Sequence, residues 1–88
     1  MRIQVTTEHV RAGKRRCSDA CPVALACQAA GLDAEVGEHL TYFYRKNGRV
    51  ETVAMPPEVT RFVQAFDWAC PSVEPVQPFA FELDFSAI

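Results

Sequence analysis

The chain has 88 residues, of which 49% are hydrophobic and 23% are charged, and its formal net charge is -2. A chain of this length has room for one small hydrophobic core, so we expect a single domain spanning residues 1–88. The balance of apolar and charged residues argues against a disordered or fibrous protein. Neither a membrane helix nor the apolar segment of a secretory signal is visible, so we expect a cytoplasmic protein that does not bind membranes.

The first residues predict a strand and a short helical turn. The alternation at Arg2–Thr6 places Ile3 and Val5 on one face, as in a half-buried strand. Thr7 is a candidate N-cap for the turn that follows, and Gly13 ends it.

A helix then begins at Pro22, which suits the first helical position because proline has no N–H to pair there. Asp19 and Cys21 are the candidate caps, and Gly31 closes the helix where a left-handed residue is favoured.

A second alternating segment, Ala34–Arg45, predicts one long strand, interrupted on its apolar face by Glu38 and on its polar face by Phe43. Its predicted inner face comprises Ala34, Val36, Leu40, Tyr42 and Tyr44. The dipeptide at residues 47–48, Asn-Gly, predicts a two-residue type I′ turn and a hairpin. In that register Tyr44 lies opposite Glu51.

The last third of the chain predicts a helix and a final strand. Pro56 and Pro57 end the hairpin and open the helix, whose apolar stripe comprises Val59, Phe62, Val63 and Phe66. A proline-containing connector, Cys70–Pro78, leads to an alternating strand at Phe79–Phe85.

The order of these elements predicts an α+β fold of the β-α-β-β-α-β type. We expect a four-stranded, mainly antiparallel sheet packed by two helices, as in the split β-α-β arrangement of ferredoxin-like folds. In that arrangement the first and last strands lie side by side. The fold class by itself does not determine function.

Charge is unevenly distributed, because residues 1–50 hold eight of the nine Lys and Arg and have a net charge of +3, whereas the remainder has -5. The basic side chains cluster in two predicted loops at residues 11–16 and 45–49: Arg11, Lys14, Arg15, Arg16, Arg45, Lys46 and Arg49. Such loops indicate either nucleic-acid contact or ordinary solvation. The aromatic run Tyr42–Tyr44 is typical either of base stacking or of cross-strand packing.

Four cysteines without a secretory signal indicate free thiols or metal ligands rather than disulfides. Three of them could bind zinc with one further ligand: Cys17, Cys21 and Cys27 with His9, His39 or Cys70. The alternative for Cys27 is that of a small core residue.

Catalytic chemistry has little support in the sequence. Cys21 is the best candidate for an activated thiol, since a helix N-terminus and the basic residues 14–16 both lower a cysteine pKa. No base or orienting group accompanies it in sequence, so we expect no catalytic residues, no cofactor and no enzymatic activity.

Trp68 and Arg61 lie opposite the apolar stripe of the last predicted helix and, with Gln64, form a candidate protein-binding surface. Trp and Arg are enriched among the residues that contribute most to protein–protein binding. The alternative is that Trp68 packs beneath the connector, against Pro71 or Val73.

Three segments carry a resemblance to a known family: Thr7–Val10 (TEHV), Cys21–Ala26 (CPVALA) and Pro57–Asp67, in which PEV is followed by FV and FD. Over most of its length the chain resembles small uncharacterised proteins encoded by bacteriophages and prophages. It differs in its basic run at residues 14–16 and in the three residues between Cys17 and Cys21. The resemblance implies phage origin and expression in the host cytoplasm, and it favours a modulator or inhibitor of a host machine, such as a defence or transcription complex.

We therefore expect a non-enzymatic binding protein that contacts a host or phage protein through Trp68, Arg61 and Gln64, or through a sheet edge. An exposed edge strand can also pair with a second copy and form a homodimer. The alternative is a nucleic-acid-binding accessory protein that uses the two basic loops. The third hypothesis is a small zinc-stabilised module.

Overall fold

The computed structural model describes residues 1–37, 39–68 and 77–83. Its helices and strands follow in chain order: β1 (Arg2–Val5), α1 (Thr7–Ala12), α2 (Pro22–Ala29), β2 (Asp33–Val36), β3 (Leu40–Tyr44), β4 (Val50–Ala54), α3 (Pro57–Trp68) and β5 (Phe79–Glu82). The described strands form two antiparallel sheets, β1-β5 and β2-β3-β4. None of the described helices is long and apolar enough to cross a membrane.

The predicted α+β class and the adjacency of the first and last strands are confirmed. β1 pairs with β5, so that Ile3 lies opposite Phe81. The described strands do not form one four-stranded sheet, however, and the ferredoxin-like arrangement is not confirmed. Helix α2 packs against both β1 and β2 and so connects the two sheets. Most of the predicted connector and the end of the last predicted strand, at 69–76 and 84–88, lie outside the described residues.

The segment predicted as one long strand is two strands. Its predicted inner face is confirmed in β2, where Ala34 and Val36 are buried, and is wrong in β3. The chain reverses at Gly37, whose N–H donates to the carbonyl of Leu40 at 2.8 Å. A Cβ at Gly37 would come within 2.8 Å of the same oxygen, so this tight turn requires glycine. The reversal places Phe43 opposite Ala34. Directly opposed residues share a face of the sheet. Phe43 is therefore buried with Ala34, and the predicted inner residues of β3 are exposed instead: Leu40, Tyr42 and Tyr44.

The Asn-Gly hairpin is confirmed, but its turn differs from the predicted type. The N–H of Arg45 donates to the carbonyl of Arg49 at 2.8 Å, which leaves three residues in the loop. Gly48 has a φ of 86°, whereas Asn47 does not have a positive φ. This combination is that of a three-residue hairpin loop with a left-handed glycine at its end.

The extra loop residue shifts the pairing of β3 with β4 by one position. Tyr44 pairs with Val50 rather than Glu51, and Tyr42 pairs with Thr52 rather than Val53. Because a shift of one residue moves every side chain of a strand to the other face, the outer face of this sheet carries both tyrosines together with three residues of β4: Val50, Thr52 and Ala54.

Two helices begin with side-chain caps. The cap of α1 is Thr6 rather than the predicted Thr7, and its Oγ1 accepts the N–H of His9 at 3.2 Å. In return His9 Nδ1 accepts the N–H of Thr6 at 3.0 Å, which completes a capping box. Cys21 caps α2, because its Sγ accepts the N–H of Ala24 at 3.5 Å.

One continuous core holds the buried side chains of both sheets and of α2 and α3. The predicted stripe of α3 faces this core, and all four of its members are buried: Val59, Phe62, Val63 and Phe66. The ring of Phe62 lies 4.7 Å from that of Phe79, between centroids, so α3 also packs against the start of β5.

Thr41 is a polar residue inside this core. It is 0% exposed, and its Oγ1 has no hydrogen-bond partner among the described residues. An unpaired buried hydroxyl costs about 1–3 kcal/mol. We therefore expect Thr41→Val, which keeps the branched shape and removes the hydroxyl, to raise the free energy of unfolding by about 1 kcal/mol in urea denaturation.

The matched control is Thr52→Val, at an exposed position of the neighbouring strand. It should change the free energy of unfolding by less than about 0.5 kcal/mol. A less stable Thr41→Val variant would contradict the prediction and would show that the hydroxyl has a stabilising partner.

Candidate binding surface around Trp68

The three residues predicted to bind a partner lie on one exposed stripe of α3. Trp68 is 60% exposed, the most of any large hydrophobic residue in the described part of the chain. Arg61 and Gln64 are also exposed. Their spacing of three and seven residues places all three on the same side of the helix, away from the buried stripe.

A basic loop, residues 14–20, folds onto the C-terminal end of α3. The N–H of Arg16 donates to Oδ1 of Asp67 at 3.0 Å. The guanidinium carbon of Arg16 lies 5.1 Å from the centroid of the Trp68 ring, within the range of a cation–π contact. The structure thus brings the basic loop into contact with the exposed face of α3, although the sequence alone indicates two separate sites. We call Arg16, Arg61, Gln64 and Trp68 the Trp68 surface.

Arg16 has a φ of 54°, in the left-handed region that non-glycine residues seldom adopt. Such a conformation costs of order 1 kcal/mol or more, and it persists where surrounding contacts determine it. The hydrogen bond to Asp67 and the contact with the Trp68 ring are the contacts that hold Arg16 here.

The rest of the basic loop is anchored by its backbone. The carbonyl of Ser18 accepts the N–H of Val36, at the end of β2, at 2.8 Å. Within the loop, the N–H of Lys14 donates to the carbonyl of Ala20 at 2.8 Å. The loop is therefore held at both β2 and α3, while the side chains of Lys14 and Arg15 remain exposed.

The second basic loop, residues 45–49, does not extend this surface. Arg45 forms an ion pair with Glu51 at 2.9 Å, which neutralises its charge locally. The loop follows Tyr44, which pairs with the first residue of β2, whereas Ser18 bonds to the last residue of that strand. Four residues of strand separate these ends by about 10 Å. The two basic loops therefore lie at opposite ends of β2, and Arg11 lies in the exposed last turn of α1.

A groove of about 410 Å³ lies beside the second basic loop, between residues 31–33 and 43–47. Its charged lining side chains are Asp33, Arg45 and Lys46. It contains no cysteine or histidine, so it holds neither a thiol nucleophile nor an imidazole base.

None of the three described thiols is activated, because each has a pKa above its ordinary value. Burial raises the pKa of Cys21 above its ordinary value, and this effect exceeds the favourable contacts of the thiolate with the N–H groups of α2. The prediction of a lowered pKa at Cys21 is therefore wrong. The thiol of Cys17 donates to Oδ1 of Asp19 at 3.2 Å, and this hydrogen bond raises the pKa of Cys17.

The predicted zinc ligands are not brought together. In residues 1–37, 39–68 and 77–83, no group of three or more His, Cys, Asp or Glu is placed to hold a metal ion. His9 and Cys21 each use a ligand atom to cap a helix, and Cys27 is 0% exposed. Cys70 lies outside the described residues.

The predicted aromatic run of β3 is divided between the two faces of its sheet. Phe43 is buried in the core, whereas Tyr42 and Tyr44 are each about two-fifths exposed on the outer face. Burial and a hydrogen bond to Glu35 raise the pKa of Tyr44. The outer face therefore combines two tyrosines with carboxylates, which favours contact with protein over stacking against nucleic-acid bases.

Comparison of the chain with protein-family models, with curated proteins and with solved structures finds no match. The chemistry of the described surfaces therefore carries the argument about function.

The fully buried Cys27 generates a pH-dependent prediction. Burial, with a smaller contribution from Cys21, raises the pKa of Cys27 from its ordinary 9.0 to about 12. Above about pH 9 the unfolded chain loses this proton while the folded protein keeps it, so the free energy of unfolding should fall as pH rises. Cys27→Ala removes that contribution. The free energy of unfolding of this variant should therefore fall less than that of the wild type between about pH 8 and about pH 10.5.

Urea denaturation of both proteins in a reducing buffer at each pH measures the difference between their slopes. Parallel slopes would contradict the prediction, because the other titrating groups are common to the two proteins.

Proposed function

We propose that this is a non-enzymatic binding protein that docks onto another protein through the Trp68 surface. The observation that carries the proposal is the large exposed ring of Trp68 held in place by Arg16. A side chain that is already ordered loses less conformational entropy on binding, so more of its contact energy contributes to affinity. An ordered tryptophan beside arginines is the composition typical of a binding hot spot.

The charges around Trp68 favour an acidic partner. Arg16 and Arg61 belong to the surface itself, and the exposed Lys14 and Arg15 adjoin it. Complementary charge accelerates association and selects among partners more than it adds affinity. We propose an acidic protein surface as the target. The resemblance to phage-encoded proteins supports a host protein in the host cytoplasm, including a defence or transcription machine, as the partner to be modulated or inhibited.

The first test is capture of a partner from bacterial lysate by the tagged protein, with and without nuclease, followed by calorimetry with the purified partner. We expect Trp68→Ala to weaken binding at least tenfold, because truncating a hot-spot tryptophan costs about 2 kcal/mol or more. Its stability should change by less than about 0.5 kcal/mol, since the ring is exposed.

The matched control is Tyr42→Ala, which removes an exposed aromatic side chain from a different face. It should leave the affinity unchanged. Equal binding by the Trp68→Ala variant and the wild type would contradict the proposal, and a large loss of stability in that variant would assign Trp68 a structural role instead.

Single-stranded nucleic acid is the second candidate partner, and the contact between Arg16 and Trp68 favours it. Proteins that bind single strands combine aromatic stacking platforms with a cationic groove. The guanidinium of Arg16 contacts the Trp68 ring, and Lys14 and Arg15 in the same loop supply two further cations. The neutralised Arg45 and the net charge of -2 argue against a large phosphate footprint.

Fluorescence anisotropy with a labelled single-stranded oligonucleotide at several salt concentrations separates the two candidates. If nucleic acid is the ligand, affinity falls steeply with salt, and Arg15→Gln reduces the slope of the logarithmic plot by about 1. Lys46→Gln, in the second basic loop, leaves that slope unchanged. Absence of binding, or binding insensitive to salt, excludes nucleic acid; our leading proposal predicts this outcome.

A further inference from the structure

Strand β4 is an edge of the three-stranded sheet, and no other described strand pairs with its outer side. At its two ends, Arg49 and Met55 exchange backbone hydrogen bonds with β3, through Arg45 N–H at 2.8 Å and His39 C=O at 3.1 Å. In an antiparallel ladder, alternate residues direct both backbone groups toward the partner strand. The N–H and C=O groups of the intervening alternate residues therefore point away from the sheet: Val50, Thr52 and Ala54.

Among the described residues, this edge carries only one of the features that usually prevent strands from pairing. Proteins protect exposed edges with lysine, proline, bulges or inward-pointing charges, or they cover them. The three outward residues of β4 are uncharged, and the strand contains no proline or glycine. That feature is Glu51, a charged residue on the core face opposite Phe43, and its ion pair with Arg45 neutralises the charge. The opposite edge, β2, is different, because Ser18 accepts the N–H of Val36 there.

We propose that β4 is the interface of a homodimer, in which two copies pair this strand antiparallel about a two-fold axis at Thr52. The pairing places Thr52 opposite its own counterpart and Val50 opposite Ala54 of the second copy. These are the residues whose backbone groups point outward, so the register forms a hydrogen-bonded ladder with no movement of the sheet. The result is a continuous six-stranded sheet.

Side chains in this register are complementary. Glu51 lies opposite Val53 of the second copy, so no like charges face each other across the axis. On the outer face, Tyr44 already adjoins Val50, and Leu40 adjoins Ala54. Pairing therefore joins Tyr44, Val50, and the second copy's Ala54 and Leu40 into one apolar row. In the single chain Val50 is 51% exposed, and Leu40, Tyr42 and Tyr44 are each 39% or more exposed. In the dimer the two-fold axis brings the side chains of both copies into one continuous strip.

The test combines sedimentation velocity over a range of protein concentrations with amide hydrogen exchange followed by NMR. We expect a species of twice the monomer mass, with slow exchange at the amides of Val50, Thr52 and Ala54 in the dimer and fast exchange on dilution. The amides of Glu51 and Val53 bond within the sheet, so they should exchange slowly at every concentration and serve as an internal control.

Two variants at the axis make the test specific. Thr52→Lys places two ammonium groups opposite each other in the dimer but leaves one solvated lysine in the monomer, so we expect the dimer dissociation constant to rise at least about tenfold. Thr52→Val keeps the backbone and the β-branched shape, and it should dimerise like the wild type. Circular dichroism and thermal melting of dilute samples confirm that both variants fold.

Every other outcome overturns the proposal. A monomer at all concentrations does so, including one in which the outward amides are protected by another segment of the same chain. A dimer whose outward amides exchange quickly has its interface elsewhere. A dimer that Thr52→Lys does not weaken is not centred on this residue. None of these results tests the Trp68 surface, which is formed by α3 and by Arg16 of the basic loop and is tested by binding.

Discussion

The burial of α2 against β1 and β2 connects the two sheets of this small protein. Val23, Ala24 and Cys27 are each 0% exposed, and such short side chains let a helix approach a sheet closely. The helix begins at Pro22, and its cap, Cys21, directly follows the basic loop. The position of α2 therefore determines the position of this loop. It also determines whether Arg16 can contact the C-terminal end of α3. The Trp68 surface thus depends on the packing of α2 against β1 and β2, although none of its four residues takes part in that packing.

The two proposed interfaces use different physics. The Trp68 surface combines an ordered aromatic ring with cations, which suits a partner of complementary charge. The β4 edge offers backbone groups and uncharged side chains, which suit a strand of identical sequence. A dimer formed at β4 carries two Trp68 surfaces. If a target displays two binding sites at a matching distance, binding of the second surface is intramolecular and the overall affinity rises with no new contact.

The sequence predicted the elements that local patterns specify. The apolar stripe of α3, the start of α2 at Pro22 and the Asn-Gly hairpin all depend on residues within one or two turns of each other, so short-range physics determines them. The same periodicity placed Trp68 opposite the apolar stripe, but it did not decide between an exposed ring and one packed beneath the connector. The predicted activation of Cys21 was wrong because its pKa depends on burial, which the helix start alone does not determine.

By itself, then, the sequence determined a small α+β chain with its α2 and α3 helices, its Asn-Gly hairpin and its first and last strands, but not the division of residues 33–44 into β2 and β3. The tertiary structure decided which faces they bury and which sites they form. Alternation runs through residues 34–45 with breaks at Glu38 and Phe43. The pattern did not show which residue is inward after the breaks, and only the reversal at Gly37 shows that Leu40 and the two tyrosines face outward. The one-residue shift of β4 depends on the left-handed Gly48. The contact of Arg16 with Trp68 joins residues 52 positions apart, and such contacts arise from packing of the whole core, which no local pattern encodes.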